Sequence, residues 1–135
     1  MNKLITLDKP QNPEIQINQE TNAEVPQAWE YEWNWYYNRL GAMAEAKHRG
    51  LHLPSYNEFD KLEDELKKLN QFNGFRAKSG SFYGLGSYGY WWSSTESGST
   101  SWYRSLVSGY STVFRGTYGK RVGFSVVCTE KPLYL

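Results

Sequence analysis

The chain has 135 residues, 15 basic and 14 acidic, with a mean hydropathy of −0.71. This length suits one domain, and the near-neutral balance argues against a strongly basic nucleic-acid binder. No apolar run approaches the 18 residues that a membrane span needs, and residues 1–19 lack the apolar segment of a secretory signal peptide. We therefore expect no membrane insertion, and a virion-associated or cytoplasmic location as encoded.

Charge and aromatic content are unevenly distributed. Residues 1–75 carry 8 basic and 12 acidic side chains, whereas residues 76–135 carry 7 basic and only 2 acidic ones. Trp, Tyr and Phe make up 17% of the chain and aliphatic residues are scarce, so we predict a core built largely from aromatic rings. The basic residues of the second half are spread along the chain, which argues against nucleic-acid binding. Six of the seven are Arg76, Lys78, Arg104, Arg115, Lys120 and Arg121.

The first half predicts an arm followed by two helices. Residues 1–28, rich in Asn, Gln, Glu and Pro, are expected to form an extended arm with partial order and one short edge strand at 15–17. Apolar residues at helical spacing predict a helix over 33–49, with Gly50 just beyond its end. Ser55 and Glu58 form a capping box that begins a second helix over 55–69.

After Gly74 the pattern changes to short strands. Residues 79–125 contain 12 Ser, 9 Gly and 6 Tyr, and helical periodicity is lost. Runs of aromatic and β-branched residues predict strands at 90–94, 101–107, 112–115 and 122–129. Helices followed by strands predict the α+β class, with two helices before a small twisted antiparallel sheet with long ordered loops.

The residues that could carry catalysis or hold a metal have simpler explanations. His48 and His52 stand four apart, but Gly50 and Pro54 break the helix that a metal pair would need. Cys128 lies in an apolar strand and is expected to be a buried hydrophobe. Residues 84–89 match G-x-G-x-x-G, but a strand rather than a helix follows. We expect the hydroxyls of residues 93–95 to satisfy backbone groups, and we expect no catalysis, no metal and no cofactor.

Several segments in order resemble the Fibrobacter succinogenes major paralogous domain. Residues 75–96, with Y-W-W-S-S-T-E, residues 101–106 and 113–115, and K-R-V-G-F-S-V-V-C at 120–128 follow that family's pattern. Residues 50–59 resemble its earlier G-W-x-L-P-S/T-x-x-E-W/F segment. The similarity covers roughly residues 29–130, so we divide the chain into an arm (1–28) and a domain (29–135).

The resemblance implies a C-type-lectin-like fold, related to the formylglycine-generating enzymes. It also implies a variable protein of a diversity-generating retroelement, in which codons near the C-terminus are rewritten on a fixed scaffold. The chain departs from the family in lacking a cysteine before residue 50 and in having Val127 where Arg is common. The EPN and QPD calcium-site motifs and the enzymes' catalytic cysteines are absent, so neither calcium-dependent sugar binding nor that catalysis is carried over.

Alignment on the family pattern separates scaffold positions from displayed ones. We predict that Trp102 points inward and its neighbours outward, and that Val113 points inward and Phe114 outward. The predicted displayed, ligand-binding positions are Tyr88, Tyr90, Ser101, Tyr103, Ser105, Tyr110, Phe114, Thr117, Tyr118 and Arg121. Tyr, Ser and Gly, which are abundant in this part of the chain, are also enriched in antibody paratopes.

These observations predict a non-catalytic binding module for a protein or glycan ligand at a cell or phage surface. The acidic first half would then be the mount, or would contact a carrier protein. Two alternatives remain open: a structural virion or surface subunit of the same fold, and an enzyme of the formylglycine-generating type. A large flat apolar patch would favour the first, and titratable groups gathered in a cleft the second.

Overall fold

The structure, a computed structural model, describes residues 3–130. The ends of the predicted arm and domain, residues 1–2 and 131–135, lie outside the described residues. The elements in chain order are β1 (Ile5–Thr6), β2 (Gln16–Ile17), β3 (Gln27–Tyr31), β4 (Asn34–Tyr37), α1 (Arg39–His48), α2 (Tyr56–Asp60), α3 (Glu63–Leu69), β5 (Phe75–Arg76), β6 (Phe82–Tyr83), β7 (Tyr88–Ser97), β8 (Thr100–Val107), β9 (Phe114–Gly119) and β10 (Val127–Cys128). The α+β class is confirmed.

The strands form several small sheets rather than one. The largest ladders join β7, β8 and β9, which are antiparallel and adjacent in chain order. A second sheet has the order β2-β3-β4, with β2 parallel to β3. Two-stranded sheets pair β1 with β10 and β5 with β6. The three-stranded sheet of β7, β8 and β9 carries most of the predicted displayed positions.

The first predicted helix begins later than the sequence pattern indicated. Residues 34–37 form β4, which is joined to β3 by a tight turn in which Glu32 and Trp33 have φ of 50° and 67°. Tyr36 and Tyr37 are both buried, so two consecutive side chains enter the core from opposite sides of a strand. Because their spacing from Trp33 also fits a helix, the sequence analysis wrongly extended the first helix back to residue 33. Asn38 is the real N-cap, since its side chain accepts a hydrogen bond from the Gly41 amide at 2.8 Å.

The second predicted helix is divided in two. Its capping box is confirmed: the Ser55 hydroxyl accepts from the Glu58 amide, and the Glu58 carboxylate accepts from the Ser55 amide. The helix ends at Asp60, and α3 starts at Glu63 after Leu62. The apolar stripe survives this break because Phe59, Leu62 and Leu66 are all fully buried. They pack with Trp91 and Leu106 from the sheet of β7, β8 and β9.

The segment predicted to be an arm is packed against the domain over its described part. β1 pairs with β10, and the predicted edge strand is confirmed as β2. Leu7 and Ile15 are buried in the core. The Glu45 carboxylate on α1 accepts hydrogen bonds from the Gln11 and Asn12 amides at 2.8 and 2.9 Å. The described part of this segment is therefore more ordered than the sequence analysis predicted.

The core is aromatic, as predicted. The buried rings belong to Trp29, Tyr36, Tyr37, Phe59, Trp91, Trp92 and Phe124, none more than 3% exposed. Trp91 packs against α2 and α3 on one side of the three-stranded sheet, and Trp92 packs against β4 and Phe124 on the other. The predicted strand at 122–129 is buried, but it is a regular strand only at β10; single bridges hold much of the rest.

Candidate functional site

Strand register brings most of the predicted displayed positions onto one face of the sheet. Tyr90 lies opposite Ser105, and Ser105 lies opposite Phe114. Ser101 lies opposite Tyr118 in the same ladder. Because side chains alternate along a strand, seven of the ten positions share this side. They are Tyr88, Tyr90, Ser101, Tyr103, Ser105, Phe114 and Tyr118. We call this side the tyrosine face.

Three predicted positions lie elsewhere. Thr117 is exposed, but it stands opposite Trp102 and so belongs to the other side of the sheet. Tyr110 lies in the turn after β8 and is 68% exposed. Arg121 follows β9, and its guanidinium pairs with Glu24 at 2.5 Å. These residues are accessible without being part of the tyrosine face.

Ser101 and Ser105 are buried, which contradicts the prediction that they are displayed. The Ser101 hydroxyl donates to the carbonyl oxygens of Ser93 and Thr95, at 3.2 Å each. Trp102 is half-buried on the opposite side of the sheet, where its ring packs edge-on against Tyr56 of α2. Both faces of this sheet are partly covered, so alternation along β8 does not separate core from solvent. The prediction for β9 is confirmed: Phe114 is exposed and Val113 packs on the core.

Five aromatic rings on the tyrosine face surround a cavity of about 190 Å³. Phe75 comes from β5, Tyr90 from β7, Tyr103 from β8 and Tyr118 from β9, with Phe124 buried below them. We call this cavity the aromatic pocket. Exposed rings continue beyond it: Tyr83 lies 5.8 Å from Phe75 and Tyr88 lies 6.3 Å from Tyr90, centroid to centroid.

A glycine makes room for one wall of the aromatic pocket. Tyr103 pairs with Gly116 across the β8–β9 ladder. A Cβ atom at position 116 would stand 2.7 Å from the Tyr103 hydroxyl oxygen, closer than such atoms approach. The absence of a side chain at Gly116 therefore lets the Tyr103 ring lie across β9.

Two phenols of the aromatic pocket, Tyr90 and Tyr103, are harder to ionise than a free tyrosine. Burial, reinforced by neighbouring phenols, raises the pKa of Tyr90 and of Tyr103 above the usual value of 10.0. Within residues 3–130, the hydroxyls of Tyr90, Tyr103 and Tyr118 make no hydrogen bond to the protein. They are available to a ligand.

Most basic residues of the second half are engaged with the protein itself. Arg104 and Arg115 both pair with Asp60 and Glu63. Arg76 stacks on Trp29 and donates to the Glu20 carbonyl oxygen. Lys120 pairs with Glu96 at 3.2 Å. Arg104, Arg115 and Lys120 therefore have carboxylate partners, whereas Arg76 is held by a ring and a carbonyl oxygen.

The other candidate sites have structural roles. Burial raises the pKa of the Cys128 thiol to about 12. The Ser93 hydroxyl donates to the Pro54 carbonyl oxygen at 3.1 Å, as expected for a hydroxyl that satisfies backbone. The glycine-rich stretch 84–89 leads into β7, a strand. Among residues 3–130, no three His, Cys, Asp or Glu side chains are grouped so as to hold a metal ion. No helix in that range is long and apolar enough to cross a membrane.

Sequence reasoning missed two rings of the aromatic pocket. Phe124 was assigned to the scaffold, and it forms the buried base. Phe75 was not a candidate because it lies outside the Tyr-rich strands, yet it contacts Tyr90 at 5.2 Å between centroids. Its place in the resembling segment 75–96 was the available signal.

Comparison of the chain with protein-family models, curated proteins and solved structures found no match.

Proposed function

We propose that this chain is a non-catalytic binding module with a C-type-lectin-like fold, and that its tyrosine face binds a protein or glycan. The observation that carries the proposal is the aromatic pocket. Five rings from separate segments converge on it, and three of their hydroxyls have no partner within residues 3–130. Tyr supplies a large, rigid contact area and a polar group at low entropic cost.

Two further observations support this function. Seven of the ten positions chosen from the family pattern lie on one side of one sheet, which suits a surface whose residues vary together on a retroelement-diversified scaffold. The rings on the opposite side are held by α2 and α3, so changes on the tyrosine face can be tolerated without loss of that packing. The family resemblance of segments 50–59 and 75–128 supports the fold. The proposal includes that this binding takes place at the surface of a cell or of a phage.

Adjacent residues on β9 give a matched test of the binding surface. Tyr118 lies on the tyrosine face and Thr117 on the other, and both are exposed. Ligands would be selected with the wild-type protein from a displayed random-peptide library and from a glycan array. We expect Tyr118→Ala to lower the affinity for the selected ligands at least about tenfold, since a Tyr at the centre of an interface contributes about 2 kcal/mol to binding. Thr117→Ala is expected to bind them as the wild type does.

Thermal unfolding of both variants serves as the control for folding. Equal binding by wild type, Tyr118→Ala and Thr117→Ala would show that ligands use another surface. Loss of binding in Thr117→Ala alone would place the site on the opposite side of the sheet. Either result would overturn the proposal.

A further inference from the structure

The rings of the aromatic pocket are arranged in alternating perpendicular planes. Tyr90 and Tyr118 lie nearly parallel to Phe124, at 18° and 21°, with centroids 5.2 and 6.0 Å away. Phe75 and Tyr103 stand across that direction, at 83° and 73° to Phe124. Neighbouring walls are also close to perpendicular, with Phe75 at 75° to Tyr90 and at 80° to Tyr118. The rings therefore border the cavity from several directions.

A pocket lined by aromatic rings favours a positively charged ligand. The face of an aromatic ring carries partial negative charge, and a cation within about 6 Å of a ring centroid is attracted to it. Tyr90 and Tyr103, whose pKa values burial raises above the ordinary 10.0, are neutral phenols around pH 7. In the described part of the chain, the five residues that line the cavity are all aromatic, so a bound cation would meet rings rather than a carboxylate there.

Among residues 3–130, no carboxylate lines the cavity, and this limits the class of cation that the pocket can bind. A primary ammonium group is strongly hydrated and needs a charged partner or several acceptors to offset its desolvation. A quaternary ammonium group has no N–H donors to leave unsatisfied, and aromatic cages are the recognised site for it. We infer that the aromatic pocket binds a quaternary ammonium group. This inference rests on the proposed function and names the ligand chemistry of the same site.

The rim favours a protein as the source of this group. Tyr83, Tyr88 and Phe114 are 53%, 41% and 42% exposed, and they extend the apolar surface beyond the cavity. A peptide that inserts a trimethyl-lysine side chain would lay its neighbouring residues over these rings. Free choline would leave this rim unused.

The test compares a cation with its neutral carbon isostere. Wild-type protein would be titrated with choline and with dimethylbutanol, in which carbon replaces the charged nitrogen, and the methyl resonances followed by NMR. We expect choline to bind at least about tenfold more tightly, because several rings contribute to its attraction. Its methyl resonance should move upfield because the methyl groups lie over ring faces. Equal affinity for the two compounds, or no binding of choline, would overturn the inference.

Two variants at one exposed position separate the ring from its hydroxyl. Tyr118→Phe keeps the ring and should bind choline within about threefold of the wild type. Tyr118→Leu removes the ring and should lose at least about tenfold. Equal affinities of the two variants would mean that the ring's charge distribution is not what binds the cation. Tyr118 is 41% exposed, and unfolding curves would confirm that both variants fold.

The source of the cation is tested with three further probes. A trimethyl-lysine peptide should bind more tightly than free choline, and the same peptide with unmodified lysine more weakly. Retention of the protein on phosphatidylcholine vesicles without binding to the methylated peptide would contradict a protein source and assign the site to a lipid headgroup. Failure of this inference is distinguishable from failure of the proposed function. Selected ligands that depend on Tyr118 but carry no cation would leave the function standing.

Discussion

Replacing Glu45 by Gln should lower the free energy of unfolding at pH 7 by about 3 kcal/mol, as expected when one member of a buried charged network is removed. The Glu45 side chain is fully buried. It accepts from the Arg49 guanidinium at 2.6 Å and from the Gln11 and Asn12 amides. All three partners are donors, so the amide group of Gln would face one of them with a donor of its own. The variant should release residues 8–12 from α1.

The same variant should change the pH dependence of stability. Burial alone would raise the pKa of Glu45, but Arg49 and the two backbone amides outweigh it and hold the pKa below the ordinary value of 4.5. A depressed pKa in the folded state means that the contribution is present above the unfolded-state value and is lost as the pH falls through the folded one. The difference between wild type and Glu45→Gln should therefore be constant near neutral pH and shrink below about pH 4.5.

Denaturant unfolding from pH 3 to pH 8 measures this difference directly. Glu14→Gln is the matched control because Glu14 is exposed, and it should leave stability unchanged at every pH. A difference that stays the same down to pH 3 would contradict the assigned role of the Glu45 carboxylate.

Replacing Arg104 by Met should cost about 2–3 kcal/mol, although Arg115 shares the same carboxylates. Arg104 is 1% exposed and donates to the Tyr56 carbonyl oxygen at 2.5 Å as well as to Asp60 and Glu63. Met fills the space but leaves that carbonyl without its donor, and it breaks the link from β8 to α2. Arg115→Met removes an exposed pair, so its unfolding midpoint should stay close to that of the wild type.

Chemical denaturation of the two variants in parallel tests this contrast. Equal effects of Arg104→Met and Arg115→Met would mean that burial does not distinguish the two arginines. The tyrosine face lies on the other side of β8, so Arg104→Met should bind selected ligands normally under conditions in which it remains folded.

Local signals predicted the parts of the fold that depend on neighbouring residues. The capping box at Ser55 and the apolar stripe from Phe59 to Leu66 both appear in the structure. Residues 34–37 were misassigned because Trp33, Tyr36 and Tyr37 fit the spacing of a helix. The deciding feature was the turn at Glu32 and Trp33, where neither residue favours positive φ.

The candidate site could be predicted only in part, for a physical reason. Alignment on the family pattern placed Tyr88, Tyr90, Tyr103, Phe114 and Tyr118 among the displayed positions, and the strand register puts all five on one side of the sheet. The alignment could not show that the neighbouring segments cover parts of that side, which buries Ser101 and Ser105. Phe75 reaches the aromatic pocket through tertiary packing alone. How deeply a side chain on a partly covered face is buried depends on segments that are distant in the sequence.

The central claim is that ligands bind at the aromatic pocket on the tyrosine face. The most direct measurement is a crystal structure of the protein with the tightest ligand selected from the peptide library or glycan array. The account predicts that this ligand contacts Tyr90, Tyr103 and Tyr118 and leaves Thr117 uncovered. A ligand seated instead on Trp33, which is 89% exposed at the tip of the β3–β4 hairpin, would contradict it.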